Sequence, residues 1–274
     1  MGKIVWLASY PKSGNTWLRV FLHNYINQPD QPYSINKLTD LSASECSAAF
    51  FQNHLPGPAA AYTTQNVQHA RPKVHHDLTR LHPDLVFIKP HNATRAVHGI
   101  PLCTPALTAG AIHIIRDPRD IAISYAAYTG LTLDDTIAFM AQPGAANRGT
   151  AQQVFELLGT WSGHTESWAS NKFLHLRYED MLENPAQEFG RVIRYLGDDP
   201  EPARLARAIA FSDFATLSKQ ESTNGYQAAS PSASRFFRQG RAGGWRGVLS
   251  ETQRARIETD HATTMQQFKY LINP

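Results

Sequence analysis

Ile4-Val-Trp-Leu-Ala-Ser-Tyr-Pro-Lys-Ser-Gly-Asn-Thr-Trp17 begins as an apolar run that stops at Tyr10-Pro11 and gives way to Lys12, Ser13, Gly14, Asn15 and Thr16. A helical pattern follows at once through Trp17, Leu18, Val20, Phe21, Leu22 and Tyr25. The stretch reads as strand, tight loop and helix start, with a lysine and two hydroxyls in the loop. Free N–H groups at a helix start, the helix dipole and one cation suit a phosphate-like anion. The usual nucleotide-triphosphate loop needs Gly-Lys-Ser/Thr after four intervening residues, whereas Lys12 here precedes Gly14 by two positions. The same residues would also serve as a plain helix cap beside an exposed lysine.

Further apolar runs at 84–89, 111–115 and 173–177 repeat the first, as parallel strands covered on both faces should. Helical patterns lie between and after them at 16–26, 118–128, 151–170, 185–196 and 202–209, with a long helix at about 250–271. This alternation predicts a single α/β domain spanning 1–274: a parallel sheet flanked by helices, with a P-loop-like anion loop after the first strand. Three stretches fit the rhythm poorly. Residues 28–83 show only weak helical pattern, 130–149 carry Pro and Gly around a short helix, and 219–234 read as a loop. Such excursions either carry substrate contacts or are ordinary surface connections.

Composition narrows the class. The net charge of +3 is too slight and dispersed for a nucleic-acid partner. Cys46 and Cys103 have no CxxC spacing, so neither a disulfide framework nor a zinc site is expected. No leader-like segment opens the chain, and no apolar run nears the ~20 residues that span a bilayer; no membrane association and a cytoplasmic location are expected.

Three more constellations bear chemistry. Arg116 stands at a strand exit, in Ile112-His-Ile-Ile-Arg-Asp-Pro-Arg-Asp-Ile-Ala-Ile-Ser-Tyr125, with Ser124 two turns along the helix that Pro118 opens. An arginine fork near a hydroxyl suits a second phosphate, although a charge network at the helix start would use the same residues. Phe236-Phe-Arg-Gln-Gly-Arg-Ala-Gly-Gly-Trp-Arg246 combines arginines, glycines and aromatic flanks, as an anion loop or a surface turn would. Phe87-Ile-Lys-Pro-His-Asn92 delivers Lys89 and His91 to a strand exit, where His91 is a candidate general base. His54, His69, His75 and His76 lack metal-ligand spacing and are expected at the surface.

In order, these motifs resemble the cytosolic-type sulfotransferase family: Tyr-Pro-Lys-Ser-Gly-Asn-Thr-Trp, Lys-Pro-His, Arg-x7-Ser, Arg-Tyr-Glu-Asp at 177–180 and Arg-x-Gly-x-x-Gly-x-Trp. The resemblance runs from residue 3 to about 247. It implies 3'-phosphoadenosine 5'-phosphosulfate (PAPS) as donor, 3'-phosphoadenosine 5'-phosphate (PAP) as product, and no metal. The loop from Lys12 through Ser13, Gly14, Asn15 and Thr16 to Trp17 would hold the phosphosulfate. Arg116, Ser124, Arg238 and Gly240 would hold the 3'-phosphate. Trp17, Tyr178 and Phe214 would frame the adenine, with Ser212 and Leu217 beside it. His91 would take the acceptor's proton in an in-line displacement, Lys12 would steady the leaving nucleotide, and Lys89 would lie near the sulfuryl oxygens.

The chain departs from the family at several points. Asn15 replaces a frequent threonine, Gln239 stands where lysine is usual, with Arg241 near enough to substitute, and Gly244 replaces a frequent aspartate. The family's dimer segment is not legible, so oligomeric state is not carried over. The expected acceptor is a small or medium hydroxylated molecule bounded by the three excursions, with Phe50, Phe51, Tyr62, Tyr128 and Phe139 lining an apolar pocket or packing in the core. A P-loop small-molecule kinase and a non-catalytic nucleotide-binding protein are the competing readings.

Overall fold

A computed structural model describes residues 1–170, 172–230, 232–233 and 235–271. Its centre is a five-stranded sheet of β1 (Lys3–Ser9), β2 (Ser42–Ser44), β3 (Leu85–Lys89), β4 (Thr108–Ile115) and β5 (Leu174–Arg177). The order is β2-β3-β1-β4-β5 and every pairing is parallel. β1 is an unbroken apolar run because both of its faces are covered. Val5 and Leu7 join one cluster with Leu18, Phe21, Phe87, Ile112 and Phe189. Ile4, Trp6 and Ala8 join the opposite cluster with Val74, Leu78, Ile88 and Trp168.

After β1 the chain turns toward β3 and β2; after β3 it crosses to β4 and β5. The crevice between the carboxyl ends of β1 and β4 is therefore the switch point, where open α/β sheets bind ligands. Helix α1 (Asn15–Asn27) begins there on one side, and helix α3 (Pro118–Thr129) begins there on the other.

The structure corrects several element expectations. The 28–83 excursion contains strand β2 and the 15-residue helix α2 (Thr64–Leu78), with Pro72 inside it. Its apolar period is masked because α2 buries polar groups, Gln68, Arg71 and His75. Fully buried Glu45, just past β2, accepts from Arg71, from His75 Nε2 at 3.1 Å and from Asn92 Nδ2 at 2.8 Å. His75 is thus a core residue rather than a surface one, and the cluster braces the chain beside His91.

The expected helix 151–170 is helical only at Trp161–Trp168, where the Thr160 side chain caps the start. Before it, Glu156–Leu157 pairs with Ala146–Asn147, and Gly159 turns at φ 70°. The C-terminal helix breaks at His261 into Glu251–Asp260 and Ala262–Gln267. The expected loop 219–234 starts inside a helix, Phe214–Asn224, capped by Asp213; positions 231 and 234 of that loop lie outside the described residues. No helix among the described residues is long and apolar enough to cross a membrane.

Candidate active site

The loop after β1 owes its shape to two left-handed residues, Lys12 at φ 66° and Gly14 at φ 108°. A Cβ on Gly14 would stand 2.8 Å from the Tyr178 ring, so this position needs glycine for space as well as for conformation. Beyond it, the N–H groups of Ser13, Gly14, Asn15 and Thr16 have no partner among the described residues. Unsatisfied donors at the mouth of a 13-residue helix make an anion cradle.

These residues open into a cavity of about 480 Å³. Lys12, Gly14, Asn15, Thr16, Trp17, Lys89, His91, Arg116, Ser124 and Tyr178 line it, as do Ser212, Phe214, Leu217, Arg238, Gln239 and Gly240. Of the expected site residues, Ser13 is the one outside the lining: its hydroxyl is buried and unpartnered. Asn15 lines the cavity, but its amide donates to the Leu7 carbonyl at 2.7 Å. That bond ties the helix start to β1, while the buried Oδ1 of Asn15 has no partner among the described residues.

At one end aromatic surfaces gather. Trp17 meets Tyr178 edge-on at 5.8 Å, and the Arg116 guanidinium lies 4.2 Å from the Tyr178 ring centroid. Gly240, at φ 60°, passes so close to Phe214 that a Cβ would collide with its ring. The Ser212 hydroxyl donates to the Ala208 carbonyl at 2.8 Å, so its proton is spent on its own helix. Arg116 joins the two loops, donating to Lys12 O at 3.0 Å and Arg241 O at 3.2 Å.

Three carboxylates beyond the expected residues line this cavity, Asp120, Glu156 and Asp213, the last of which caps the helix Phe214–Asn224. Asp120 accepts from the Gly243 and Trp245 N–H groups at 2.7 and 2.9 Å, fixing the glycine-rich segment. It was visible only as the last residue of Arg-Asp-Pro-Arg-Asp. Glu156 was hidden inside a stretch with misleading helical spacing. It accepts from Asn147 Nδ2 at 3.1 Å and from the His91 N–H at 3.3 Å, and its carboxylate stands 3.8 Å from Lys89 Nζ. Tyr125 completes the chain by donating to Asn147 Oδ1 at 2.7 Å.

The electrostatics follow from burial and cations together. Burial would raise Glu156, but Lys89 and His91 outweigh it and hold the carboxyl at about 2. Burial, then Lys89, pushes His91 down to about 4, so its ring is neutral near pH 7. Its Nδ1 stands 2.7 Å from the Ser9 carbonyl, which can only accept, so Nδ1 carries the proton and Nε2 a lone pair. Burial, then Arg116, lowers Lys12 to about 7; its ammonium rests 3.7 Å from the Phe236 ring centroid and 4.4 Å from that of Tyr128.

The aromatic residues expected around an acceptor divide. Tyr128 lines this cavity, whereas Tyr62 lines a second one of about 400 Å³ with Val67, Val97, Val154 and Phe155. Phe50, Phe51 and Phe139 pack into the core.

The profile of the sulfotransferase domain matches residues 3–269. Sulfotransferase 1 family member D1 of Mus musculus is 24% identical over 272 residues, covering 95% of this chain and 82% of its own. Retinol dehydratase, solved with androsterone and the inactive cofactor PAP, superposes with a TM-score of 0.64 at 18% identity, over 99% of this chain and 82% of that one. Mouse sulfotransferase SULT7A1, solved with PAP, gives 0.59 at 18% identity, over 96% and 85%. These likenesses show the fold, a single α/β domain with a central parallel sheet. Together with a profile that spans nearly the whole sequence, they show that the chain belongs to the sulfotransferase domain family.

Proposed function

We propose that the protein moves the sulfuryl group of PAPS to a hydroxyl, or an amine, of a small or medium-sized acceptor. The observation that carries this reading is His91, whose Nδ1–H is committed to Ser9 O while the same cavity holds Lys12 and Lys89. A neutral imidazole with its Nε2 lone pair free is a base beside two cations.

The residues fit a 3'-phosphorylated adenine nucleotide. Four unpartnered N–H groups, the buried Arg116 Nε without a partner, and two places where a Cβ would strike an aromatic ring mark a cradle shaped for a ligand. The N–H groups of residues 13–16 and Lys12 hold the phosphosulfate. Arg116, Ser124, Arg238 and Gly240 hold the 3'-phosphate, with Gln239 alongside. Trp17, Tyr178 and Phe214 frame the base, flanked by Ser212 and Leu217.

When bound, PAPS supplies the sulfuryl group, which passes to the acceptor oxygen while the electron pair of the broken sulfur–oxygen bond stays on the 5'-phosphate of PAP. His91 Nε2 takes the acceptor's proton. Lys12 balances charge growing on the leaving nucleotide, and Lys89, held by Glu156, faces the sulfuryl oxygens. Positioning and preset charge carry the rate, as in phosphoryl transfer. Tyr125, Tyr128, Tyr226 and Phe236 give the cavity aromatic walls for an apolar hydroxylated acceptor.

Screening alcohols, phenols and amines against PAPS labelled with radioactive sulfur tests this. Transfer of label to at least one acceptor, absent in Lys12→Ala, is expected. Transfer of phosphate from ATP instead would replace this reading with the kinase one.

A further inference from the structure

Three cations of the cavity, Arg19, Arg116 and Arg238, belong neither to the loop after β1 nor to β3. Arg19 sits on α1, one turn past Asn15, and lines the space shared by Lys12, Lys89 and His91. Its direction is fixed by β2: Nε donates to Ser42 Oγ at 2.8 Å and Nη2 to Ser42 O at 3.0 Å. The anchor is itself held, since Ser42 Oγ donates to Leu38 O at 2.9 Å. A guanidinium has five N–H donors in a rigid fork. Ser42 takes the edge that includes Nε, and Nη1 has no protein partner among the described residues.

Lys89, by contrast, has the Glu156 carboxylate 3.8 Å away. Arg19 forms no ion pair among the described residues, and burial works against its charge. A half-buried guanidinium without a counterion is costly unless an anion completes its shell. The charge is also felt at His91, where it adds to the forces that keep the ring neutral. β2 runs beside β3 with Ser44 opposite Lys89, so the tether to Ser42 sets Arg19 at the end of the cavity where Lys89 and His91 stand.

Resting on the sulfotransferase reading, we propose that Arg19 is a further catalytic residue, whose free guanidinium end contacts the oxygens of the donor's sulfuryl group. It exchanges no proton; it supplies a fixed charge that accompanies the group from nucleotide to acceptor.

PAP lacks the sulfuryl group, so calorimetric binding of PAPS and of PAP, without acceptor, separates this contact from the rest. Arg19→Met should weaken PAPS by roughly 10- to 100-fold and PAP by less than about threefold. Arg19→Lys should recover part of the PAPS affinity. Equal losses for both nucleotides, or unchanged PAPS affinity, would overturn the proposal while leaving the sulfotransferase reading in place. Ser42→Ala keeps the guanidinium and loosens its tether; if it alone reproduced the full selective loss, Arg19 would be a structural strut. A wild-type chain that binds neither nucleotide overturns the sulfotransferase reading and this proposal with it.

Discussion

Arg116 donates to the backbone carbonyl of Lys12 at 3.0 Å, bridging the carboxyl ends of β4 and β1 across the switch point of the sheet. The same guanidinium holds Arg241 O at 3.2 Å and lies over Tyr178. One side chain thus fixes the left-handed turn at Lys12, a conformation that costs a non-glycine residue about 1 kcal/mol or more, and ties it to the glycine-rich segment. Arg116→Ala should lower the affinity for PAP more than that for an analogue lacking the 3'-phosphate, by roughly 10-fold or more. Equal losses measured by calorimetry would mean that Arg116 serves the loops alone.

Lys12 links donor affinity to pH. With its pKa lowered to about 7 by burial and by Arg116, Lys12 is charged below pH 7 and neutral above it. An anionic nucleotide favours the charged form, so binding above pH 7 must take up a proton. PAP affinity should fall by up to about tenfold per pH unit above 7, and Lys12→Met should abolish that slope. Proton uptake measured in buffers of different ionisation enthalpy checks it.

His91→Ala should reduce sulfuryl transfer by about 10²- to 10⁴-fold and leave PAP affinity nearly unchanged. Normal turnover by this variant would remove the base assignment. Because His91 loses its proton at about 4 in the free protein, activity should not fall for want of a neutral ring between pH 8 and pH 6.

Glu156→Gln keeps the shape of the side chain but leaves Lys89 without its counterion. Turnover should drop by roughly 10-fold or more, and stability by about 1–3 kcal/mol, read from urea unfolding. Wild-type kinetics and stability together would show that the carboxylate is a bystander.

Acid should weaken the fold well above the carboxylate range. His91 and His164 are held neutral by burial, at about 4 and about 3, whereas an unfolded histidine titrates near 6.5. A depressed folded pKa means the unfolded chain binds more protons below 6.5. The stability these residues contribute is complete above that pH and is lost progressively as pH falls toward 4 and 3. Urea unfolding at pH 5 should therefore show a loss on the order of 3 kcal/mol relative to pH 7.5; equal stability at the two would contradict it.

The parts of the site that were legible lie where local chemistry dictates structure. β1 reads clearly because burial on both faces demands an apolar run, and the loop after it because Gly14 and Lys12 sit directly against a helix start. Glu156 was hidden because Val154, Leu157 and Trp161 fall at near-helical spacing, while the left-handed turn at Gly159 that separates them leaves only a glycine in the sequence. Helix α2 was hidden for the opposite reason. Its buried Arg71 and His75 bond to Glu45, distant in sequence, and Gln68 accepts from Arg71 on the same helix, so polar groups stand where the apolar period would run. Arg19 looks like an ordinary polar helix residue until Ser42 and the cavity wall are seen around it.

The most direct test is thermal unfolding with PAP and with ATP–Mg²⁺ at equal concentration, since a ligand that binds only the folded state raises Tm by an amount that grows with the logarithm of its affinity. PAP should raise Tm far more than ATP–Mg²⁺, and Arg116→Ala should shrink that difference. A larger shift with ATP–Mg²⁺, or none with PAP, would contradict the account.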